Sequence, residues 1–331
     1  MRAALAEAER GVGHTSPNPP VGAVIVRGRR MVARGHHRGA GLPHAEIEAL
    51  RALASPRDAK GATLYVTLEP CSTHGRTPPC TDAIREAGIR RVVMGCTDPN
   101  PSHSGRAVRL LRRAKIEVTT GVCESECLAL IRPFAKWITC GMPWVIAKWA
   151  MTLDGRLARP AGEPRSISSP ASRRRVLELR ARVDAILVGA GTVRADNPRL
   201  TVRGVAGARQ PWRVVVTRSG RLPADARLFT DRHRERTLVY HGKSMRSVLR
   251  DLGRRGCTTL LVEGGGEVLG TLFDARLVDE VWVFLAPRLS GATGGTIGGQ
   301  GVGTNEQSLR LNQVTYEPIC DDVLMRALVA P

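Results

Sequence analysis

Apolar and polar positions along the chain follow two periods, one suited to helices and one to buried strands. Residues 3–11 carry a helical apolar face that stops at Gly11, and Ser16-Pro17-Asn18-Pro19-Pro20 reads as a turn. Val21–Val26 is an apolar run of strand length, and Arg27-Gly28-Arg29-Arg30 predicts a tight hairpin into a second strand over 31–35. The spacing of Ala45, Ile47, Ala49, Leu50 and Leu53 predicts a helix over 44–54. Strands over 63–67, 91–95 and 116–119 then alternate with helices over 81–87 and 106–114, and a helical stretch follows over 124–139.

A second series begins after Gly141-Met142-Pro143. Its predicted strands are 144–149, 185–189, 213–217, 237–240, 259–262 and 280–285, with helices over 169–181, 245–252 and 268–275. Strands alternating with helices indicate layered α/β architecture. The length of 331 residues suits two domains, so the boundary is set at 142/143, giving 1–142 and 143–331. The glycine-dense tract 291–303 is expected to be a mobile surface loop, and no internal repeat is evident.

Charge and cysteine content narrow the function classes. The formal net charge is +20, which would suit a polyanion partner. Yet only five of the fifty basic residues are lysines, the arginines are scattered, and aromatic residues make up 4%. Nucleic-acid grooves interleave clustered cations with aromatic rings, so a solvated arginine-rich surface with a phosphorylated small ligand is the expectation, without nucleic acid. The amino-terminal segment has no apolar run of the kind that forms a signal peptide, and no stretch is apolar enough to span a bilayer; no membrane partner and a cytoplasmic location are expected. Eight cysteines in a chain of this size fit free thiols in a reducing compartment.

The chemistry concentrates in the first half. His44-Ala45-Glu46 opens a predicted helix, Pro70-Cys71 follows a predicted strand, and Cys80 starts the next helix. One imidazole and two thiolates form a three-ligand zinc site with an open fourth position. Glu46, two residues from the ligand His44, is placed to reach a water there and shuttle protons without binding the metal. The signature of zinc deaminases is H-x-E followed by P-C-x-x-C; here the first part matches as it stands, and the second is stretched, with eight residues between Cys71 and Cys80. The remaining cysteines, Cys96, Cys123, Cys127, Cys140, Cys257 and Cys320, lack histidine partners at ligand spacing and read as buried thiols.

The stretch Thr67-Leu68-Glu69-Pro70-Cys71-Ser72-Thr73-His74-Gly75-Arg76-Thr77-Pro78-Pro79-Cys80 resembles the deaminase domain of the bifunctional riboflavin-biosynthesis deaminase/reductase family. The likeness extends to Thr15–Gly22, Gly41–Glu46 and Asp98-Pro99-Asn100-Pro101. It implies a cytidine-deaminase-like α/β/α sandwich that deaminates a diaminopyrimidinone carrying a ribosylamino 5-phosphate. His44, Cys71 and Cys80 would hold zinc, Glu46 would be catalytic, and Asn18, His74 and Arg76 would contact the phosphorylated pyrimidine.

The second half resembles that family's reductase, a dihydrofolate-reductase-like α/β domain that uses NADPH to reduce the ribosyl to a ribityl chain. The likeness rests on Lys148–Arg156, on Leu187–Arg203 and on Val262-Glu263-Gly264-Gly265-Gly266. It implies cofactor contacts at Met151, Ser166, Thr192, Asp196, Arg218, Gly264, Gly265 and Gly266, and substrate contacts at Arg180, Leu200, Arg203 and Glu263. A glycine turn feeding a helix suits a pyrophosphate. The chain departs from the family at Pro164, at Ser166 in place of a tryptophan, and at Arg218 in place of a small hydroxyl residue. A deaminase carrying an inactive reductase-like scaffold is therefore the alternative, with deamination of a base in nucleic acid further behind. A homo-oligomer is expected.

Overall fold

The computed structural model describes residues 1–74, 78–157, 167–291 and 297–330. The chain divides into two compact units, Met1–Gly141 and Met142–Pro331.

In the first unit, strands β1 (Gly22–Arg27), β2 (Arg30–His36), β3 (Thr63–Leu68), β4 (Arg91–Cys96) and β5 (Glu117–Thr119) form one sheet in the order β2-β1-β3-β4-β5. β1 pairs antiparallel with β2 and β3, whereas β3-β4 and β4-β5 are parallel. Parallel neighbours need crossover helices, and α3 (Cys80–Glu86) and α4 (Arg106–Arg113) supply them. Together with α2 (Ala45–Arg51) they share a core in which Ala45, Ala49, Ile84 and Leu111 meet Ile25, Leu64, Val92 and Met94. Helices α1 (Arg2–Glu9) and α5 (Glu124–Cys140) pack with the sheet elsewhere, where Leu5, Cys127 and Ile131 meet Leu68 and Cys96. The contact with α5 is close enough that a Cβ on Gly95 would lie 2.2 Å from the Cys127 sulfur, so only glycine fits. Helix α2 stops at Arg51, short of the span expected from its apolar spacing.

The second unit holds an eight-stranded sheet in the order β12-β13-β11-β6-β10-β7-β8-β9. Its strands are β6 (Trp144–Thr152), β7 (Ala185–Gly189), β8 (Trp212–Thr217), β9 (Thr237–His241), β10 (Thr259–Val262), β11 (Glu280–Ala286), β12 (Leu311–Ile319) and β13 (Asp322–Val329). Six strands, β11 to β9, run parallel; β13 and β12 add an antiparallel ribbon at one edge. Helices α9 (Met245–Arg254) and α10 (Gly266–Asp274) cover one core, and α6 (Pro170–Ala181) and α7 (Ala190–Asp196) the other; the short α8 (Arg227–Thr230) joins the latter through Leu228. Near the start of the parallel strands, buried Asp184 accepts from the backbone N–H and hydroxyl of both Thr258 and Thr259, tying the entries of β7 and β10 together.

The ribbon β12-β13 and helix α7 were not expected from the pattern. Of the six cysteines expected to be buried, Cys96, Cys127 and Cys257 are, Cys123 is half-buried, and Cys140 and Cys320, at a helix end and in a hairpin turn, are exposed. The described residues of the tract 291–303 carry no helix or strand and are at least partly exposed, as expected of a surface loop. In its described part, Gly298 N–H donates to Gly266 O at 3.0 Å and Gln300 N–H to Asp274 at 2.8 Å. These bonds fasten residues 298–300 to both ends of α10.

Candidate functional sites

In the first unit, β3 ends at Leu68 and releases Glu69, Pro70 and Cys71 at the C-terminal edge of the sheet. Cys80 is the first residue of α3, and His44 caps α2 in extended conformation. These elements bring the ligand atoms of His44, Cys71 and Cys80 within 4.8 Å of one another. His44 Nδ1 and Cys80 Sγ are 3.4 Å apart, and the Cys80 backbone N–H donates to Cys71 Sγ at 3.2 Å. Tetrahedral coordination by two sulfurs at 2.3 Å and a nitrogen near 2.0 Å needs ligand atoms about 3.5–3.8 Å apart, so the set fits a zinc ion. Hydrogen bonds from Cys80 and His44 hold the Cys71 thiol well below its usual range; the same sharing pushes Cys80 up.

Glu46 lies in the first turn of α2 and is 3% exposed. Burial, with the negative Cys71 beside it, pushes its carboxyl up to about 7. A carboxyl poised there can both take and return a proton near neutral pH.

Two residues that sequence reasoning passed over support this centre. Buried Glu69 accepts backbone N–H groups from Asp98, Gly105 and Ala107 at 3.2, 2.9 and 2.9 Å. It thereby fastens the strand end that carries Cys71 to the loop before α4. His37 is buried, packs edge-on against His44 with ring centroids 5.3 Å apart, and lies 3.1 Å from the Asn18 side-chain nitrogen. Asn18 is half-buried and His74 exposed, while Arg76 lies outside the described residues.

The second unit contains a cleft of about 1530 Å³. Thr192, Asp196, Arg218, Gly264, Gly265 and Gly266 line it, as do Arg180, Arg203 and Glu263. Gly264 has φ +115°, open only to glycine, and this bends the chain from β10 into α10. Gly265 N–H then donates to Thr192 Oγ1 at 3.2 Å, joining the glycine turn to α7. Arg180 faces Glu263 rather than open space: Nε and Nη2 donate to the two carboxylate oxygens at 2.5 and 2.8 Å, and Nη1 donates to Thr201 O at 3.3 Å. Lys148, which sequence reasoning also left out, lines the same cleft. Burial lowers its pKa against the opposing pull of Glu263. Two of the expected contacts are not among the cleft's lining residues. Leu200 is packed in the core at φ +50°, and the Met151 sulfur lies 3.4 Å from Trp149 Nε1. Ser166, with Pro164, lies outside the described residues.

Comparisons with known proteins agree with both halves. Residues 1–96 match the family model described as the cytidine and deoxycytidylate deaminase zinc-binding region, and residues 143–325 match the RibD C-terminal domain. The riboflavin biosynthesis protein RibD of Aquifex aeolicus is 40% identical over 345 residues, covering 98% of this chain and 96% of that protein. RibD of Escherichia coli is 40% identical over 324 residues, covering 88% of each. A solved structure of Acinetobacter baumannii RibD covers all of this chain and 98% of its own, at 35% identity and a TM-score of 0.90. The Thermotoga maritima diaminohydroxyphosphoribosylaminopyrimidine deaminase/5-amino-6-(5-phosphoribosylamino)uracil reductase also covers all of this chain and 97% of its own, at 36% identity and a TM-score of 0.90. Among the described residues, no helix is long and apolar enough to cross a membrane.

Proposed function

The chain belongs to the RibD family, the bifunctional deaminase/reductases of riboflavin biosynthesis, and we propose that its two units carry out the two steps in turn on one phosphorylated pyrimidine. The first would deaminate 2,5-diamino-6-ribosylamino-4(3H)-pyrimidinone 5′-phosphate. The second would reduce the ribosyl group of the product to ribityl with NADPH. The observation that carries this reading is the meeting of His44, Cys71 and Cys80 beside the buried Glu46.

Deamination exchanges an exocyclic ring amine for oxygen from water and releases ammonia. Zinc held by His44, Cys71 and Cys80 supplies Lewis-acid activation of that water when bound. Glu46, with a carboxyl near neutrality, takes the proton from the water and delivers it to the departing amine. Asn18, His74 and Arg76 are assigned to the ring edge and the phosphate. Arg76 suits the dianion because a guanidinium presents paired donors.

In the reductase, the glycine turn Gly264–Gly266 with the N-terminus of α10 suits the cofactor pyrophosphate, and Thr192 and Asp196 flank it. Arg203 is assigned to the substrate phosphate, and Glu263 to sugar hydroxyls with Arg180 steadying its carboxylate. Met151, Leu200 and Ser166 remain assigned to the cofactor and substrate neighbourhood on the family resemblance. The protein's task is to align cofactor and acceptor carbon for hydride transfer.

Incubating the purified chain with the diamino phosphate, with and without NADPH, and weighing the products tests this assignment. Exchange of an amine for oxygen, followed by a gain of two hydrogens only when NADPH is present, is the expected result. A product mass that stays at the deaminated stage with NADPH present would reduce the second unit to a scaffold.

A further inference from the structure

His37 follows β2, and its backbone N–H donates to Val21 O at 2.9 Å, which fixes the residue where the hairpin leaves the sheet. Its ring Nδ1 lies 3.0 Å from Pro43 O. A carbonyl only accepts, so the ring proton sits on Nδ1. The ring is 2% exposed. The group facing Nε2 at 3.1 Å is Asn18 Nδ2, and an amide NH₂ only donates, so Nε2 accepts through its lone pair. Of the two ways an asparagine amide can point, only the one with NH₂ toward His37 satisfies this lone pair. The Asn18 backbone is itself held, its N–H donating to Thr15 O at 2.9 Å. His37 also touches the ring of His44 and donates to the carbonyl of the residue before it, so the orientation of Asn18 is set from the same corner of the fold as the zinc ligand.

We propose that His37 is a positioning residue that locks the Asn18 amide with its nitrogen toward the imidazole, so that the amide oxygen is left to accept from a hydrogen-bond donor of the substrate, an amino, ring N–H or hydroxyl group. This rests on the assignment of Asn18 to the deaminase substrate made above. It adds a polarity to that contact: the amide oxygen is the group His37 does not use, and turning it toward His37 would set the ring's lone pair against a carbonyl oxygen. An unmatched polar contact of this kind costs about threefold to tenfold in affinity or more.

Two measurements test it. On the wild-type chain, long-range nitrogen–proton NMR of the histidine rings reads the His37 tautomer directly, whatever the substrate proves to be. The Nδ1–H form is expected; the Nε2–H form overturns the proposal. In steady-state ammonia release by the zinc-loaded chain, His37→Phe is expected to raise KM about threefold to tenfold, with kcat within twofold and zinc stoichiometry unchanged. Introduced into Asn18→Leu, the same change is expected to add nothing further to KM. An unchanged KM in the single variant, or an effect that persists fully beside Asn18→Leu, overturns it. Absence of ammonia release by the wild type would instead strike the substrate assignment and leave the tautomer result standing.

Discussion

Arg180 and Glu263 form a bidentate ion pair in the wall of the second unit's cleft, joining α6 to the end of β10 across 83 positions of sequence. Both side chains are largely buried, at 12% and 8% exposure. Breaking a buried pair leaves an uncompensated charge and costs about 3–5 kcal/mol. Arg180→Met is expected to lower the stability of the second unit by that amount in urea denaturation. Its pH dependence has a definite sign. Burial pushes the Glu263 carboxyl up, but Arg180 and Lys148 outweigh this and hold it below its ordinary value of 4.5. A depressed carboxyl adds stability that is complete above the ordinary value and is lost as pH falls through the folded one. The difference between wild type and Glu263→Gln should therefore be full at neutral pH and shrink once the solution is taken below 4.5.

Metal removal should separate the two activities. Chelation, or Cys71→Ser or Cys80→Ser, is expected to lower ammonia release at least about a hundredfold. NADPH oxidation with the deaminated intermediate supplied should stay within twofold. Glu46→Gln should behave differently, keeping one zinc per chain while losing about 10²- to 10⁴-fold in deamination. Metal analysis beside an ammonia assay distinguishes these cases.

Glu69→Gln should loosen the deaminase centre without touching its ligands. The carboxylate receives three backbone N–H groups, and a glutamine side chain offers one acceptor oxygen in place of two. A cost of about 1–3 kcal/mol is expected. Hydrogen exchange at the amides of Asp98, Gly105 and Ala107 should quicken by about tenfold or more, and exchange in the second unit should not change.

Much of this was legible in the chain because local patterns coincide with the fold. Buried parallel strands read as short apolar runs, and the zinc ligands sit at helix starts and a strand end, where their residue types are conspicuous. What stayed hidden depends on contacts between distant segments. Glu69 reads as part of a cysteine motif until the loop at 98–107 is seen to close on it. His37 has no ligand spacing, and its role comes from Pro43 and Asn18 arriving from other turns. Arg180 and Glu263 were both expected to face substrate, but sequence does not show that each is the other's nearest partner. Strand β12 escaped because Leu311–Ile319 is exposed along most of its length and so carries no alternation to read.

The turn after β8 gives a cofactor prediction. Arg218 lines the cleft, and its carbonyl lies 2.8 Å from His241 Nε2, which holds the turn against the end of β9. A guanidinium there can pair with the 2′-phosphate of NADPH, a charge-assisted contact worth about 1.5–3 kcal/mol. Arg218→Ala is expected to raise the NADPH KM roughly tenfold to a hundredfold and to leave the NADH value nearly unchanged. An equal change in both would move Arg218 to substrate binding or folding.

The β12-β13 ribbon bears on how the protein avoids sticking to itself. A long, regular outer strand is a template on which another chain can add by main-chain hydrogen bonding. Here the template is broken. The register with β13 shifts between Asn312 and Thr315, Gln313 takes a positive φ, and Pro318 has no N–H to donate. An incoming strand would find matched donors and acceptors over only a few residues before losing step. The irregularity that weakens this hairpin internally also keeps its outer row from seeding aggregates, so straightening it, for example by deleting one residue of the bulge, would trade solubility for regularity.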